Sequence, residues 1–466
     1  MQHFDLCIIG SGSGNSLIDE RLDDQTIALV DDGRWFGGTC LNAGCIPTKM
    51  LALPADVCRT PELGARVNVA VDPPRVDWPG LRDRVFGRTD GISQAGERWR
   101  EQASNVTLFR ETAEFVGEKT LRVGEETITA DQFVIAAGSR PRVPDLPGMD
   151  DPALTGRLHT SDTIMRVEEL PESLVILGGG FIAAEFAHVF SSFGTKVTVV
   201  NRSDRLLRRE DALIAERYTD AAARHYTLRL NQHVVALEEG THGRLRVVTE
   251  DADGVHYGFQ GDLVLCAQGR VPNGARLRVD AAGVRMDAHG LVVVDEYQRT
   301  NVPGIWALGD VSNPYQLKHV ANHEERVVQH NLLHPDDLVA SDRRFVPPHG
   351  VFTDPQIASV GLTEDAARAA GHDVAVAVQE YASVAYGWAL NDEGHCVKLV
   401  ADRATKHLLG AHIIGPQATL LIQPVIQAMS TGVDVPTMAR GQYWIHPALT
   451  EVIENALLSL GIEADA

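Results

Sequence analysis

The sequence predicts an α/β protein with two Rossmann-like dinucleotide-binding domains. A short apolar strand at residues 4–9 runs directly into a glycine-rich turn, and the pattern of strand, glycine-rich turn, helix and strand returns at residues 173–209. The length of 466 residues is too great for one ordinary hydrophobic core, so two or three packed domains are expected.

The first unit continues from its strand through GSGSGN and an amphipathic stretch to a second strand, TIALVDD. Asp31 ends that strand, 21 residues after the first glycine. We predict that a helix N-terminus binds a pyrophosphate and that Asp31 binds a ribose. Asn15 stands at the third glycine position, so a plain tight turn is the alternative. The turn residues expected to approach the dinucleotide are Gly10, Gly12, Ser13 and Gly14.

The second unit has the turn residues Gly178, Gly180 and Ala183 and a second strand that ends near Asn201. Two such units in one chain imply two dinucleotides. Arg202 and Arg208 follow Asn201 where the first unit has an acid, and guanidinium groups suit a 2′-phosphate. This site is therefore predicted to prefer NADPH, although the segment is Arg-rich throughout and a solvated basic helix start is the alternative.

Two later segments are predicted to complete the first site. FVIAAGSRPRVPDLPG, at residues 133–148, is typical of a strand that leaves the first domain through a connector containing Gly138. TNVPGIWALGDV, at residues 300–311, is typical of a loop and a strand ending in Gly309 and Asp310. An acid beside a glycine at a strand end can approach a polyol.

The stretch GGTCLNAGCIPTK, at residues 37–49, contains Cys40 and Cys45. Such a pair forms a structural disulfide, a metal site or a redox centre. Six cysteines in 466 residues are too few for a disulfide scaffold, and no second cluster of Cys and His accompanies the pair.

The composition narrows the class of protein. A net charge of −21 disfavours nucleic acid as a partner, and 44% apolar residues are typical of a globular chain. No apolar run reaches the roughly 18–20 residues that span a bilayer, and the first strand lacks the features of a signal peptide. We expect a cytoplasmic protein without a membrane anchor.

These residues resemble those of the FAD-dependent pyridine nucleotide-disulfide oxidoreductases, which include glutathione reductase and lipoamide dehydrogenase. The resemblance extends to GVFTDPQIASVGLTE at residues 350–364, similar to the start of the family's dimerisation domain, and to HPALTE at residues 446–451. It implies FAD in the first domain, NADPH in the second and an α+β dimerisation domain. The predicted divisions are FAD-binding at 1–155 and 281–343, NADPH-binding at 156–280 and dimerisation at 344–466.

The resemblance also implies the catalytic groups. Cys40 and Cys45 form a redox-active disulfide, in which Cys45 lies against the flavin and Cys40 attacks the substrate disulfide. His446 is the acid/base, supplied by the other subunit of a homodimer, and Glu451 orients it. A metal site is disfavoured.

Further residues match the family around the cofactors. Lys49 and Glu185 match an ion pair near the flavin, and Asp310 matches the ligand of its ribitol. Phe181 stands where many relatives have a Tyr that covers the nicotinamide pocket. We also expect that one of Lys318 and His319 supports the negative charge on reduced flavin. The other matching residues are Gly38 and Thr39 near the flavin and Gly269 and Arg270 at the junction of the two nucleotide sites.

The substrate class is predicted from positions at which this sequence differs from other members of the family. Glutathione reductases carry an Arg where Glu20 stands, which disfavours glutathione disulfide despite the neighbouring Arg21, and the Arg-bearing end of the second unit disfavours a lipoamide dehydrogenase. An NADPH-dependent reductase of another small disulfide is predicted, with those two as alternatives. A transhydrogenase or quinone reductase, or a flavin-loaded binding subunit, does not require both cysteines and the His–Glu pair.

Overall fold

The computed structural model describes residues 1–341 and 345–464. In chain order, strands β1 to β22 are Gln2–Ile9, Ile27–Val30, Val106–Phe109, Ala113–Gly117, Thr120–Val123, Glu126–Ile135, Ser139–Pro141, Leu158–Thr160, Ser173–Leu177, Lys196–Val200, Thr227–Arg229, His233–Glu239, Leu245–Glu250, His256–Gly261, Leu263–Cys266, Arg270–Pro272, Ile305–Ala307, His349–Val351, Ile357–Gly361, Val374–Glu380, Cys396–Asp402 and Leu408–Ile414. Helices α1 to α14 are Gly38–Asn42, Cys45–Cys58, Thr60–Arg66, Trp78–Gln102, Pro152–Thr155, Phe181–Ser192, Ala212–Ala222, Lys318–Leu333, Glu364–Ala369, Ala385–Ala389, Ala418–Leu421, Gln423–Thr431, Val435–Arg440 and Glu451–Ser459.

The first sheet has the strand order β3-β2-β1-β6-β5-β4, and β17 pairs with β6. Strands β3, β2, β1, β6 and β17 are parallel, whereas β5 and β4 form an antiparallel extension. The return of β17 to this sheet brings Gly309 and Asp310, which follow that strand, to the same sheet edge as the first glycine-rich turn. Apolar side chains from both faces are buried.

The helix predicted after the first glycine-rich turn is absent, and this prediction is wrong. Residues 14–22 form two short 3₁₀ turns, Gly14–Leu17 and Glu20–Leu22. Buried Arg100, from α4, donates from Nη2 to the carbonyl oxygens of Asn15 and Ile18, both at 2.9 Å. The Asn15 carbonyl also accepts the Ile18 backbone N–H at 3.4 Å, an i→i+3 contact typical of a 3₁₀ turn rather than of an α-helix. A helix N-terminus is therefore not available for the first pyrophosphate.

The second sheet is parallel, with the order β11-β10-β9-β15-β8. Here the predicted unit forms in full: β9 leads through the glycine-rich turn into α6, with Gly180 at its N-cap, and β10 follows. A three-stranded antiparallel sheet, β12-β13-β14, packs beside it. The N-terminus of α6 is thus open to an anion in the way that the sequence predicts.

The C-terminal part is an antiparallel sheet with the order β18-β19-β22-β21-β20. Helix α14 packs on it, and their apolar side chains form a separate core. The predicted boundary between residues 343 and 344 lies outside the described residues, and so does the end of the last predicted domain at residue 466. No helix among the described residues is both long and apolar enough to cross a membrane.

Candidate active site

The two cysteines lie at the start of consecutive helices in the first domain. Cys40 is the third residue of α1, and Cys45 is the first residue of α2, after Gly44 at the N-cap. Both are free thiols, and they hydrogen-bond to each other. A helix N-terminus favours a negative charge, so the position of Cys45 is suited to a thiolate.

The Lys49–Glu185 pair connects this helix to the second domain. Lys49 Nζ lies 2.7 Å from both carboxylate oxygens of Glu185, which is on α6. Glu185 is buried and also accepts a hydrogen bond from the Phe352 backbone N–H at 3.0 Å. The Phe352 ring centroid is 4.5 Å from Lys49 Nζ. The family resemblance implies the Lys49–Glu185 pair, whereas the contact of Phe352 was missed.

The electrostatics of the two thiols differ. The hydrogen bond from Cys40 and the positive charge of Lys49 lower the pKa of Cys45 to about 7, against the effect of burial. The same hydrogen bond, together with burial, raises the pKa of Cys40. The reduced pair therefore holds its negative charge on Cys45 and its proton on Cys40.

The first glycine-rich turn packs directly against α1. A Cβ on Gly38, which has φ +73°, would lie 2.6 Å from Gly12 Cα, and a Cβ on Gly10 would lie 2.3 Å from the carbonyl oxygen of residue 136. The Asp31 carboxylate accepts a hydrogen bond from the Ser11 backbone N–H at 3.1 Å and another from the Ser11 hydroxyl. The bare backbone and the acid form a cradle that fits a dinucleotide.

Asp310 is linked to Arg270 through Ser139, a residue that sequence reasoning missed. The Ser139 hydroxyl donates to Asp310 at 2.7 Å, and Arg270 Nε donates to that hydroxyl at 2.7 Å. Gly138 and Gly269, both with positive φ, stand immediately before these strands. The structure thus connects the predicted polyol ligand with the predicted junction of the nucleotide sites.

The second nucleotide site presents two free guanidinium groups. Arg202 and Arg208 are exposed, and in the described part of the chain neither makes a hydrogen bond or an ion pair. Asn201 points elsewhere, because its amide donates to the carbonyls of Ser203 and Arg205 and closes the loop. Arg205 pairs with its neighbour in sequence at 3.2 Å, so it is not free.

The remaining predicted residues are distributed around these centres. The turn residues Ser13 and Gly14 are buried, and Ala183 is buried in α6. Gly178 has φ +123°, and Gly309 donates its N–H to the Glu324 carboxylate at 2.7 Å. Thr39 is exposed beside Cys40, and Phe181, at the start of α6, is 47% exposed.

The His446–Glu451 pair lies on a separate surface. His446 Nδ1 is 2.7 Å from Glu451 Oε1, and the side chain of His446 is 72% exposed. Glu451 also accepts the Ala448 N–H at 3.2 Å, and the hydrogen bond from His446 lowers its pKa. His446 makes no hydrogen bond or ion pair with either cysteine within residues 1–341 and 345–464. Tyr443 and Ile445 beside it are also exposed.

The comparisons with known proteins identify the family of the chain. Residues 4–324 match the profile of the family described as pyridine nucleotide-disulphide oxidoreductase, and residues 347–457 match its dimerisation domain. The chain belongs to the pyridine nucleotide-disulfide oxidoreductase family. The predictions of the fold class, of a flavin-dependent disulfide oxidoreductase and of FAD and NADPH as cofactors are confirmed. The dimerisation domain indicates a homodimer.

Several relatives cover nearly the whole chain. The mycothione reductase of Mycobacterium tuberculosis is 50% identical, over 99% of this chain and 100% of its own. The dihydrolipoyl dehydrogenase of Mycobacterium bovis is 31% identical over 99% and 98%, and the mercuric reductase of Staphylococcus aureus 32% over 93% and 78%. Among solved structures, the HOCl-induced flavoprotein disulfide reductase RclA of Escherichia coli superposes with a TM-score of 0.83 at 28% identity, over 97% of this chain and 99% of its own.

Proposed function

We propose that this protein reduces mycothione, the disulfide of mycothiol, to two thiols at the expense of NADPH. The observation that carries the proposal is the Cys40–Cys45 pair, in which the lowered pKa of Cys45 and the proton on Cys40 suit dithiol–disulfide exchange. The 50% identity to a mycothione reductase supports the substrate. So do DLCIIGSGSGNSLIDER, VTVVNRSDRLLRRED and LKHVANHEERVVQHNLLHP, which resemble that enzyme in the sequence.

The charges beside the first turn also support this substrate. Glu20 is exposed and makes no hydrogen bond or ion pair in the described part of the chain, whereas Arg21 is held by Asp19 and by Gln329. Its guanidinium is therefore occupied, and the free charge at this place is negative. Mycothiol is an acetylated cysteine on a glucosamine–inositol sugar and has no free carboxylate, so it meets no repulsion there, unlike glutathione.

The chain's own residues divide the chemistry between them. FAD and NADPH, when bound, supply the reducing equivalents. Cys40 loses its proton to His446 and attacks one sulfur of the substrate disulfide, and the departing thiolate takes that proton. Cys45, held as a thiolate beside Lys49, then attacks the Cys40 sulfur of the mixed disulfide, which restores the Cys40–Cys45 disulfide and releases the second product as a thiolate that solvent protonates. Glu451, which binds Nδ1 of the imidazole, leaves Nε2 for the proton.

We further propose that each active site uses His446 of one subunit and the cysteines of its partner. The exposure of the His446–Glu451 pair and of the adjoining Tyr443 and Ile445 supports this arrangement. Hybrid dimers of a Cys40→Ser chain and a His446→Gln chain test it. One of their two sites then combines an intact cysteine pair with an intact histidine, so about half of the wild-type activity returns. A site within one chain predicts none.

The substrate is tested by steady-state NADPH oxidation with purified, FAD-loaded protein. Mycothione, glutathione disulfide and lipoamide are compared at equal concentrations, and the expected result is turnover with mycothione alone. Preference for either of the others would retain the cysteine chemistry and refute the proposed substrate. We place the activity in the cytoplasm, where NADPH is available and thiols are kept reduced.

A further inference from the structure

Lys318 contacts the first glycine-rich turn, which packs against the helix that carries the attacking cysteine. It is the first residue of α8, and its Nζ donates a hydrogen bond to the Ser13 hydroxyl at 2.7 Å. Ser13 is next to Gly12, whose Cα touches Gly38, and Gly38 opens the helix that carries Cys40. The ammonium group is therefore held at the turn that packs against the start of α1.

The neighbouring His319 does not share this position. Its Nε2 is 2.8 Å from the carbonyl oxygen of Pro348, and its side chain is exposed. Of the two cations expected near the cofactor, only Lys318 therefore contacts the first turn. The positive charge of Lys318 also acts on Cys40, whose pKa it lowers against the larger effects of Cys45 and of burial.

We propose that Lys318 is a positioning residue that stabilises the thiolate of Cys40 while Cys40 attacks the substrate disulfide. Lys49 does the same for Cys45, so each cysteine of the pair has its own lysine. In the attack, a bond forms between Cys40 sulfur and one substrate sulfur as the substrate S–S bond breaks. The departing thiolate takes the proton that Cys40 gave up. The inference rests on the proposed role of Cys40 as the attacking thiol.

The other charges around this place leave Lys318 effective. Glu325 lies further along α8 and is buried. Burial raises its pKa, so its carboxyl group carries less of the negative charge that would attract the Lys318 ammonium. Asp19 and Arg21 bind each other. On the side of α2 and α6, Lys49 and Glu185 bind each other and act on Cys45. In the proposed dimer, His446 of a second copy also faces Cys40.

The test uses FAD-loaded, full-length protein that carries Cys45→Ser, so that Cys40 is the only thiol of the pair. Iodoacetamide alkylation of Cys40 is followed against pH and mapped by peptide mass spectrometry, which separates it from the partly buried Cys58. The midpoint of the rate profile reports the thiolate, whereas the rate at one pH also depends on nucleophilicity. Lys318→Met and Lys318→Gln remove the charge, Lys318→Arg keeps it, and His319→Gln is the matched control.

We expect the midpoint to rise by about one pH unit without the charge, which means about tenfold less thiolate below the midpoint. Lys318→Arg should restore most of the shift, and His319→Gln should leave the profile unchanged. Because every variant keeps the same surroundings, the contribution of His446 cancels. An unchanged midpoint in both uncharged variants, or an equal shift in the control, overturns the inference.

A second measurement separates an effect on the cofactor. The midpoint potential of bound FAD is measured in the same variants by equilibration with reference dyes. A changed potential with an unchanged Cys40 profile would assign Lys318 to the flavin and overturn its assignment to Cys40. Neither measurement uses mycothione, so an error in the proposed substrate leaves both results interpretable.

Discussion

Replacing Lys49 by methionine should affect both the stability of the protein and the charge on Cys45. The substitution leaves the buried Glu185 carboxylate without its two contacts at 2.7 Å, and among the described residues only the N–H of Phe352 still donates to it. Breaking a buried pair costs about 3–5 kcal/mol, but the Lys49 side chain is 34% exposed and partly screened. We therefore expect a loss of about 2 kcal/mol, seen as a thermal transition lowered by about 2–4 °C.

The effect on Cys45 can be stated as a fraction of thiolate. With its pKa lowered from 9.0 to about 7, about half of Cys45 is ionised at pH 7, against about 1% for an unperturbed thiol. Lys49→Met removes one cause of this lowering and leaves the charge of Glu185, which opposes the thiolate. The midpoint should move upward. Glu185→Gln removes the opposing charge and should move the midpoint downward.

The assay is alkylation of Cys45 by iodoacetamide across pH 5–10 in a Cys40→Ser background, where a serine hydroxyl still donates to the thiolate. Peptide mass spectrometry follows the modification. Opposite shifts from Lys49→Met and Glu185→Gln are the signature of the electrostatic explanation, because a general loosening of the site would move both variants in the same direction. A Lys49→Met profile with the wild-type midpoint would refute it.

Three further predictions concern other parts of the chain. Arg202→Ala or Arg208→Ala should raise KM for NADPH about tenfold and leave that for NADH unchanged in steady-state assays, because each removes one guanidinium from the 2′-phosphate. Lys398→Met should destabilise the protein by about 3 kcal/mol, since Nζ lies 2.9 Å from buried Asp211. The pKa of Asp211 is lowered from 3.8, so the contribution of the ionised carboxylate to wild-type stability is complete above pH 3.8 and is lost as acid protonates Asp211. Denaturant titrations at several pH values should show that the stability of the variant depends less on acid. Gly10→Ala places a methyl carbon 2.3 Å from a carbonyl oxygen at φ +114°, and the flavin content per chain should fall severely.

Much of the site could be predicted because its signals are local in sequence. Cys40 and Cys45 lie five residues apart, as do His446 and Glu451, and each pair makes contact within one short segment. The second βαβ unit also formed as predicted, since its strand, turn and helix depend on neighbouring residues.

The remaining features depend on contacts between distant segments. The first turn is followed by two 3₁₀ turns instead of a helix, and Arg100, 85 residues away, binds the carbonyl of Asn15 within them. No local pattern of residues 14–26 contains that information, and the amphipathic spacing there predicts a helix by itself. Ser139 likewise connects Asp310 and Arg270 only in the folded chain.

The sequence by itself determined the strands and glycine-rich turns of the two nucleotide-binding units, because strand periodicity and turn chemistry are properties of adjacent residues, and the family resemblance carried by its motifs indicated the cysteine pair and the histidine–glutamate pair. Only the tertiary structure decided that Lys318 rather than His319 contacts the first turn. Lys318 and Ser13 are 305 residues apart, and their contact exists because α8 packs against that turn. Side chains one residue apart on a helix point in directions about 100° apart, so packing alone selects which one faces the active site.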